Sequence, residues 1–139
     1  MFLSLVSFSQ DEKRLALVIG NSNYDKGELK NPVNDAKLIA KTLDSLNFEV
    51  IAKYNLATQR EFKEAIREFG VKRDSFNVGF VYYAGHGVQV KDENFLLPTK
   101  EVFESELDIE DYGVSVQSIM RFLESKTDQV NILVLDACR

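Results

Sequence analysis

Cysteine is nearly absent from this sequence: Cys138 stands alone among 139 residues. A single thiol excludes an internal disulfide and leaves the sulfur for chemistry or for packing. Histidine is equally scarce, with only His86. One Cys and one His cannot build a zinc site without carboxylates at unusual spacing, so metal catalysis is not the expected chemistry. Positive charge is in deficit, 17 Lys and Arg against 22 Asp and Glu, for a net charge of −5. With no basic patch to neutralise phosphates, nucleic acid is not an expected partner, whereas cationic substrates are well tolerated. No apolar run is long enough to span a bilayer. Internal repeats, linkers and low-complexity segments are missing as well. Gly20-Asn21-Ser22-Asn23 lacks the spaced glycines and the lysine of a nucleotide-binding loop.

The chain does have an ordinary globular composition, 45% hydrophobic and 11% aromatic, and its length suits one domain with a real core. Residues 1–13 read as a leader and residues 14–139 as the domain. The first ten, MFLSLVSFSQ, are apolar and Ser-rich before charge begins abruptly at Asp11. They resemble the end of a secretory signal without its basic start; an edge strand or a plain leader is the other reading. The protein is secreted or periplasmic on the first reading and cytoplasmic otherwise.

Residues 15–20 (LALVIG) form a continuously apolar run, a first core strand, followed by loop-forming residues 21–31. Asn31-Pro32 reads as an N-cap with proline at the first helical position. Val33, Ala36, Ile39, Ala40, Leu43 and Leu46 then recur on one helical face. Residues 48–52 alternate as a second strand. Thr58 and Glu61 predict a capping box, with Phe62, Ala65, Ile66 and Phe69 on the buried face and Gly70 as the stop. Residues 76–83 are the third strand, and residues 88–98 a hairpin turning through Lys91-Asp92-Glu93-Asn94. Residues 100–112 read as an acidic, solvated connection. Val116, Ile119, Met120 and Leu123 mark a third amphipathic helix with Ser115 as N-cap, and residues 130–135 a fourth core strand. Strands alternating with helices predict an α/β fold, a doubly wound, mostly parallel sheet flanked by helices, with a small hairpin after His86.

Cys138 sits just past the last core strand and His86, 52 positions earlier, just past the third, between Gly85 and Gly87. In open α/β sheets the C-terminal strand ends are where chemistry collects. A thiol needs a base within reach and donors for the oxyanion. His86 is the candidate base, and the backbone N–H groups of Gly87 and Cys138 are the candidate donors. A free cysteine in an apolar strand is otherwise a small buried hydrophobe. What favours chemistry is the joint placement of the only Cys and the only His.

Tyr82-Tyr83-Ala84-Gly85-His86-Gly87 followed by Leu133-Val134-Leu135-Asp136-Ala137-Cys138-Arg139 resembles the large-subunit catalytic domain of the caspase superfamily. The caspase signature Gln-Ala-Cys-x-Gly carries its histidine about 50 residues upstream. Asp136 stands where that signature has Gln, and residues 15–21 with Asn31-Pro32-Val33-Asn34-Asp35-Ala36 also resemble the metacaspases and bacterial caspase-like proteases. The resemblance implies a cysteine endopeptidase with Cys138 as nucleophile and His86 as acid/base. It further implies that Asp35 and Asp136 bind a substrate Arg or Lys before the cleaved bond, a guanidinium being able to bond carboxylates in pairs.

Family members continue into a small-subunit region that completes the sheet and the groove. That region is therefore an expected partner, beside peptide substrates with basic residues. The chain by itself is expected to show little activity and to associate through an open sheet edge. Self-processing after Arg139 follows from the same taste for arginine. A non-catalytic caspase-like scaffold for protein contacts is the second reading, which the presence of both His86 and Cys138 disfavours. Some metacaspases need calcium, but Glu104, Glu106, Asp108, Glu110 and Asp111 lack EF-hand spacing. No cofactor is expected.

Overall fold

A computed structural model describes residues 11–124 and 129–138. Residues 1–10, most of the leader expected over residues 1–13, and Arg139 therefore lie outside the described residues. The elements run β1 (Arg14–Gly20), α1 (Pro32–Ser45), β2 (Phe48–Tyr54), α2 (Gln59–Arg73), β3 (Val78–Val90) and β4 (Glu93–Leu96). They continue through α3 (Glu106–Tyr112), β5 (Val114–Ser115), α4 (Val116–Leu123) and β6 (Val130–Cys138). β2, β1, β3 and β6 lie side by side, all parallel. The far half of β3 leaves this sheet to pair antiparallel with β4, which in turn pairs with β5.

β1 is buried from Leu15 to Gly20 because both of its faces are covered, the condition that selects a continuous apolar run over an alternating one. Ala16 and Val18 pack with Ala36 and Leu43 of α1 on one face. Leu15, Leu17 and Ile19 pack on the other with Phe62, Ala65, Ile66 and Phe69 of α2 and Ile119 and Leu123 of α4. The helical spacing read from the sequence thus maps onto the core. Phe62 and Phe69, both fully buried, each contribute about 2–3 kcal/mol through apolar area removed from water. Leu46 and Met120 depart from the pattern: Leu46 follows the last turn of α1, Met120 lies on α4 outside its buried face, and both are exposed.

Several expectations need correcting. Gly70 does not end α2, which continues to Arg73. A Cβ there would lie 2.0 Å from the Phe122 ring, so this glycine serves helix–helix contact rather than termination. Thr58 caps α2 by accepting from the Glu61 N–H, but the Glu61 carboxylate reaches back to the Ala57 N–H instead of completing the box. Asn31 makes no side-chain cap; Ser22 Oγ, from the loop after β1, accepts the Val33 N–H. Residues 100–112 are not a bare connection: α3 forms behind a capping box made by Ser105 and Asp108. β3 does not stop at Tyr83 but runs to Val90, because β6 and then β4 satisfy its backbone bonds all the way. The hairpin reverses on Lys91 and Asp92 alone, whose φ values of 48° and 64° suit the twist of a two-residue loop.

Arg73, at the end of α2, is only 3% exposed. Its guanidinium donates to Phe76 O at 2.5 Å, Val130 O at 2.9 Å and Asn131 Oδ1 at 2.7 Å. Burial pulls its pKa below the ordinary arginine value. Gly79 makes room, since a Cβ there would sit 2.2 Å from Arg73 Nε. The side chain thereby ties the start of β6 to the approach to β3. Arg73→Met strands these acceptors and is expected to cost about 3 kcal/mol. Urea unfolding reads this directly, and an unchanged midpoint would contradict the clamp.

Candidate active site

The β3–β6 ladder begins at Val78 opposite Val130 and runs in unbroken register to Ala84 opposite Asp136 and His86 opposite Cys138. Directly paired residues on neighbouring strands are separated by about 4.8 Å. The two residues singled out from the sequence are therefore backbone neighbours at the C-terminal end of the sheet. Both belong to the strands themselves rather than to loops beyond them.

His86 is held by its surroundings. Its N–H donates to Tyr24 Oη at 2.9 Å, and its carbonyl accepts from Tyr83 Oη at 2.7 Å. The ring packs on the Tyr24 ring with centroids 4.3 Å apart. His86 Nε2 lies 2.5 Å from Gly27 O. A carbonyl can only accept, so Nε2 is the donor in this contact, and Nδ1 is the ring nitrogen it leaves out. Gly85 is required by space, since a Cβ there would meet the Tyr83 and Tyr24 hydroxyls at 2.5 and 2.6 Å. Burial raises the pKa of Tyr24 and, more strongly, of Tyr83; both phenols act as neutral hydrogen-bonding groups.

Sequence reading missed the residues that brace this edge. Asn21, fully buried, donates its N–H to Ala84 O and its side-chain amide to Leu97 O, while its Oδ1 accepts the Leu56 N–H. Asn55 Oδ1 accepts from the Ser22 and Asn23 N–H groups. A cluster of Asn and Ser reads as loop material, and only burial distinguishes a polar hub from a solvated turn. Gly27 and Tyr24 likewise carry no signal of their contact with His86.

Gly87 begins the hairpin half of β3, paired with Leu96. Because the Leu97 N–H donates to His86 O, this is a non-hydrogen-bonded pair. The Gly87 N–H turns instead to β6, where the parallel pairing of His86 with Cys138 engages it on Cys138 O and the Cys138 N–H on Gly85 O. The candidate oxyanion donors, Gly87 and Cys138, thus sit on adjoining strands at the same edge, but both N–H groups are engaged in the ladder rather than free for an oxyanion.

Asp35 lies in the first turn of α1 and Asp136 on β6, both exposed and without an ion-pair partner among the described residues. Tyr82 Oη donates to Asp136 Oδ2 at 3.3 Å. Burial, then Asp136, then Asp35 push the Tyr82 phenol up to about 12. The two carboxylates therefore act on one buried phenol beside β3. The remaining acids named above, from Glu104 to Asp111, surround α3, where Asp108 is spent on capping. Among the described residues no three His, Cys, Asp or Glu side chains form a metal-binding group.

The raised Tyr82 pKa favours the folded state while the phenol is neutral; that contribution is complete below pH 10 and fades as pH rises towards about 12. Asp136→Asn removes a charge and an acceptor that both hold the proton on. Spectrophotometric titration of the tyrosines is expected to show ionisation at lower pH in this variant, and an unaltered curve would contradict the contact.

The profile of the caspase domain family matches residues 13–139. The chain is 33% identical over 129 residues to human mucosa-associated lymphoid tissue lymphoma translocation protein 1 and 32% identical to its mouse homolog. Each alignment covers 91% of this chain and 15% of the relative, so the chain spans about one seventh of their length. A crystal structure of a Geobacter sulfurreducens protein superposes with a TM-score of 0.70 at 18% identity, covering 91% of this chain and 50% of that one. That likeness concerns the fold. With parallel order β2-β1-β3-β6, helices on both faces and this family match, the chain belongs to the caspase domain family.

Proposed function

We propose that this caspase domain is a cysteine endopeptidase, of the metacaspase-like branch, that cleaves peptide bonds after Arg or Lys with Cys138 as nucleophile and His86 as acid and base. The observation that carries this reading is the register of β3 and β6, which makes His86 and Cys138 strand neighbours. Nε2 being held by Gly27 O, Nδ1 is the nitrogen that takes the thiol proton. The Cys138 sulfur bonds to the scissile carbonyl carbon, and the C=O electron pair moves onto the oxygen. As the C–N bond breaks, the imidazolium gives its proton to the departing amine. Water then attacks the thioester, His86 accepts its proton, and the thiol is restored. These steps use no metal or cofactor.

The unpaired carboxylates of Asp35 and Asp136, gathered about Tyr82, favour a cationic residue before the cleaved bond. A guanidinium satisfies paired carboxylates with bidentate, charge-assisted hydrogen bonds. The alternative, a caspase-like scaffold acting through protein contacts, predicts an unreactive thiol. Two measurements on the full-length protein separate the readings. Peptides offering Arg, Lys or Asp before the bond should be cleaved after Arg or Lys, with Cys138→Ala and His86→Ala each losing about a thousandfold or more in kcat. Asp136→Asn should lower kcat/KM for the Arg peptide by about a hundredfold. Cleavage after Asp alone would overturn the acidic pocket. No cleavage, with iodoacetamide labelling of Cys138 no faster than that of a simple thiol, would favour the scaffold.

A further inference from the structure

The inference drawn here rests on the protease reading and concerns the side of the site from which the amine product departs. A cavity of about 200 Å³ opens beside His86. Its walls come from the loop after β1, at Tyr24, Asp25 and Lys26, and from the segment that follows β4. Asp35, Tyr82 and Asp136 do not line it, so it is distinct from the carboxylates that would hold the residue before the cleaved bond. We propose that this cavity receives the side chain immediately after the cleaved bond and selects an apolar one.

The chemistry determines which half of the substrate lies there. His86 must come within hydrogen-bond reach of the leaving nitrogen to protonate it. The first residue of the departing segment therefore passes over the imidazole, and a hollow sharing that ring is within one side chain's reach. At about 200 Å³ the cavity is smaller than the roughly 300–1,000 Å³ typical of drug-sized ligand sites, a size for one side chain rather than a cofactor.

The walls settle its character. Tyr24, Leu97, Pro98, Val102 and Phe103 supply apolar surface. The two acids are already engaged: Asp25 with Lys100, and Glu101 by accepting the Gln59 N–H. Glu101 and Lys26, the wall's remaining charged groups beside His86, are of opposite sign, so the wall carries no net charge of one sign to recruit a cation or an anion. Val102 stands 62% exposed, apolar area beside the mouth that a bound residue would cover. Thr99, also in the wall, is itself buried.

The test uses the full-length protein and internally quenched peptides that share Arg before the bond and carry Leu, Phe, Gly or Asp after it. Wild type is expected to favour Leu or Phe over Gly by about tenfold in kcat/KM, and over Asp by more. Phe103→Ala should bring the Leu-to-Gly ratio towards one, and Val102→Asp should weaken the preference for Leu. Ratios taken within one variant do not depend on how much of it is folded. A flat profile, or a preference for Asp, in an enzyme that cleaves after Arg overturns this inference and leaves the dyad standing. Failure to cleave any of the peptides overturns the protease reading and this inference with it.

Discussion

The site depends on one constraint, the parallel register between β3 and β6. A slip of one residue would move every side chain of β6 to the opposite face of the sheet and set His86 beside a neighbour of Cys138. Two devices hold the register. At the near end Arg73 bonds both the approach to β3 and the start of β6, and the Val130 N–H donates to Asn77 O. At the far end Asp136 meets Tyr82 across the same pair of strands. Nine consecutive residue pairs lie between Val78 and His86, so an anchor near one end governs geometry at the other.

A second layer of organisation converts that alignment into a usable base. The C-terminal ends of parallel strands expose backbone groups that need partners, and Asn21, Asn55, Tyr24 and Tyr83 provide them. The same bonds orient His86 and, through Gly27 O, determine which ring nitrogen stays free. Fold stability and proton transfer thus draw on one hydrogen-bond network. The electrostatics divide the site: carboxylates without an ion-pair partner gather about Tyr82, while beside His86 Asp25 is paired with Lys100.

Periodicity made the core legible. Phe62, Ala65, Ile66 and Phe69 announce a buried helical face, and the run at residues 15–20 announces a strand covered on both sides. The two residues of the candidate dyad were legible because each was alone of its kind and each followed an apolar run. What escaped was what local patterns do not encode. Gly70 looks like a helix stop, and only the Phe122 ring packed over it explains why the helix continues. Arg73 looks like a solvated helix-terminal charge until its acceptors on two strands are seen. The acidic stretch around α3 lacks any buried face, so its helix is held by capping rather than by the apolar spacing that reveals the others.

Because Cys138 is the only cysteine, replacing His86 with cysteine creates a single pair of thiols. Paired positions on adjacent strands fall within the Cα separations a disulfide tolerates. Under mild oxidation His86→Cys is expected to form an internal bridge to Cys138, seen by intact mass as the loss of two hydrogens and of both alkylatable thiols. Two thiols that remain free in the folded protein, or that couple only between molecules, would contradict the register on which the candidate site is built.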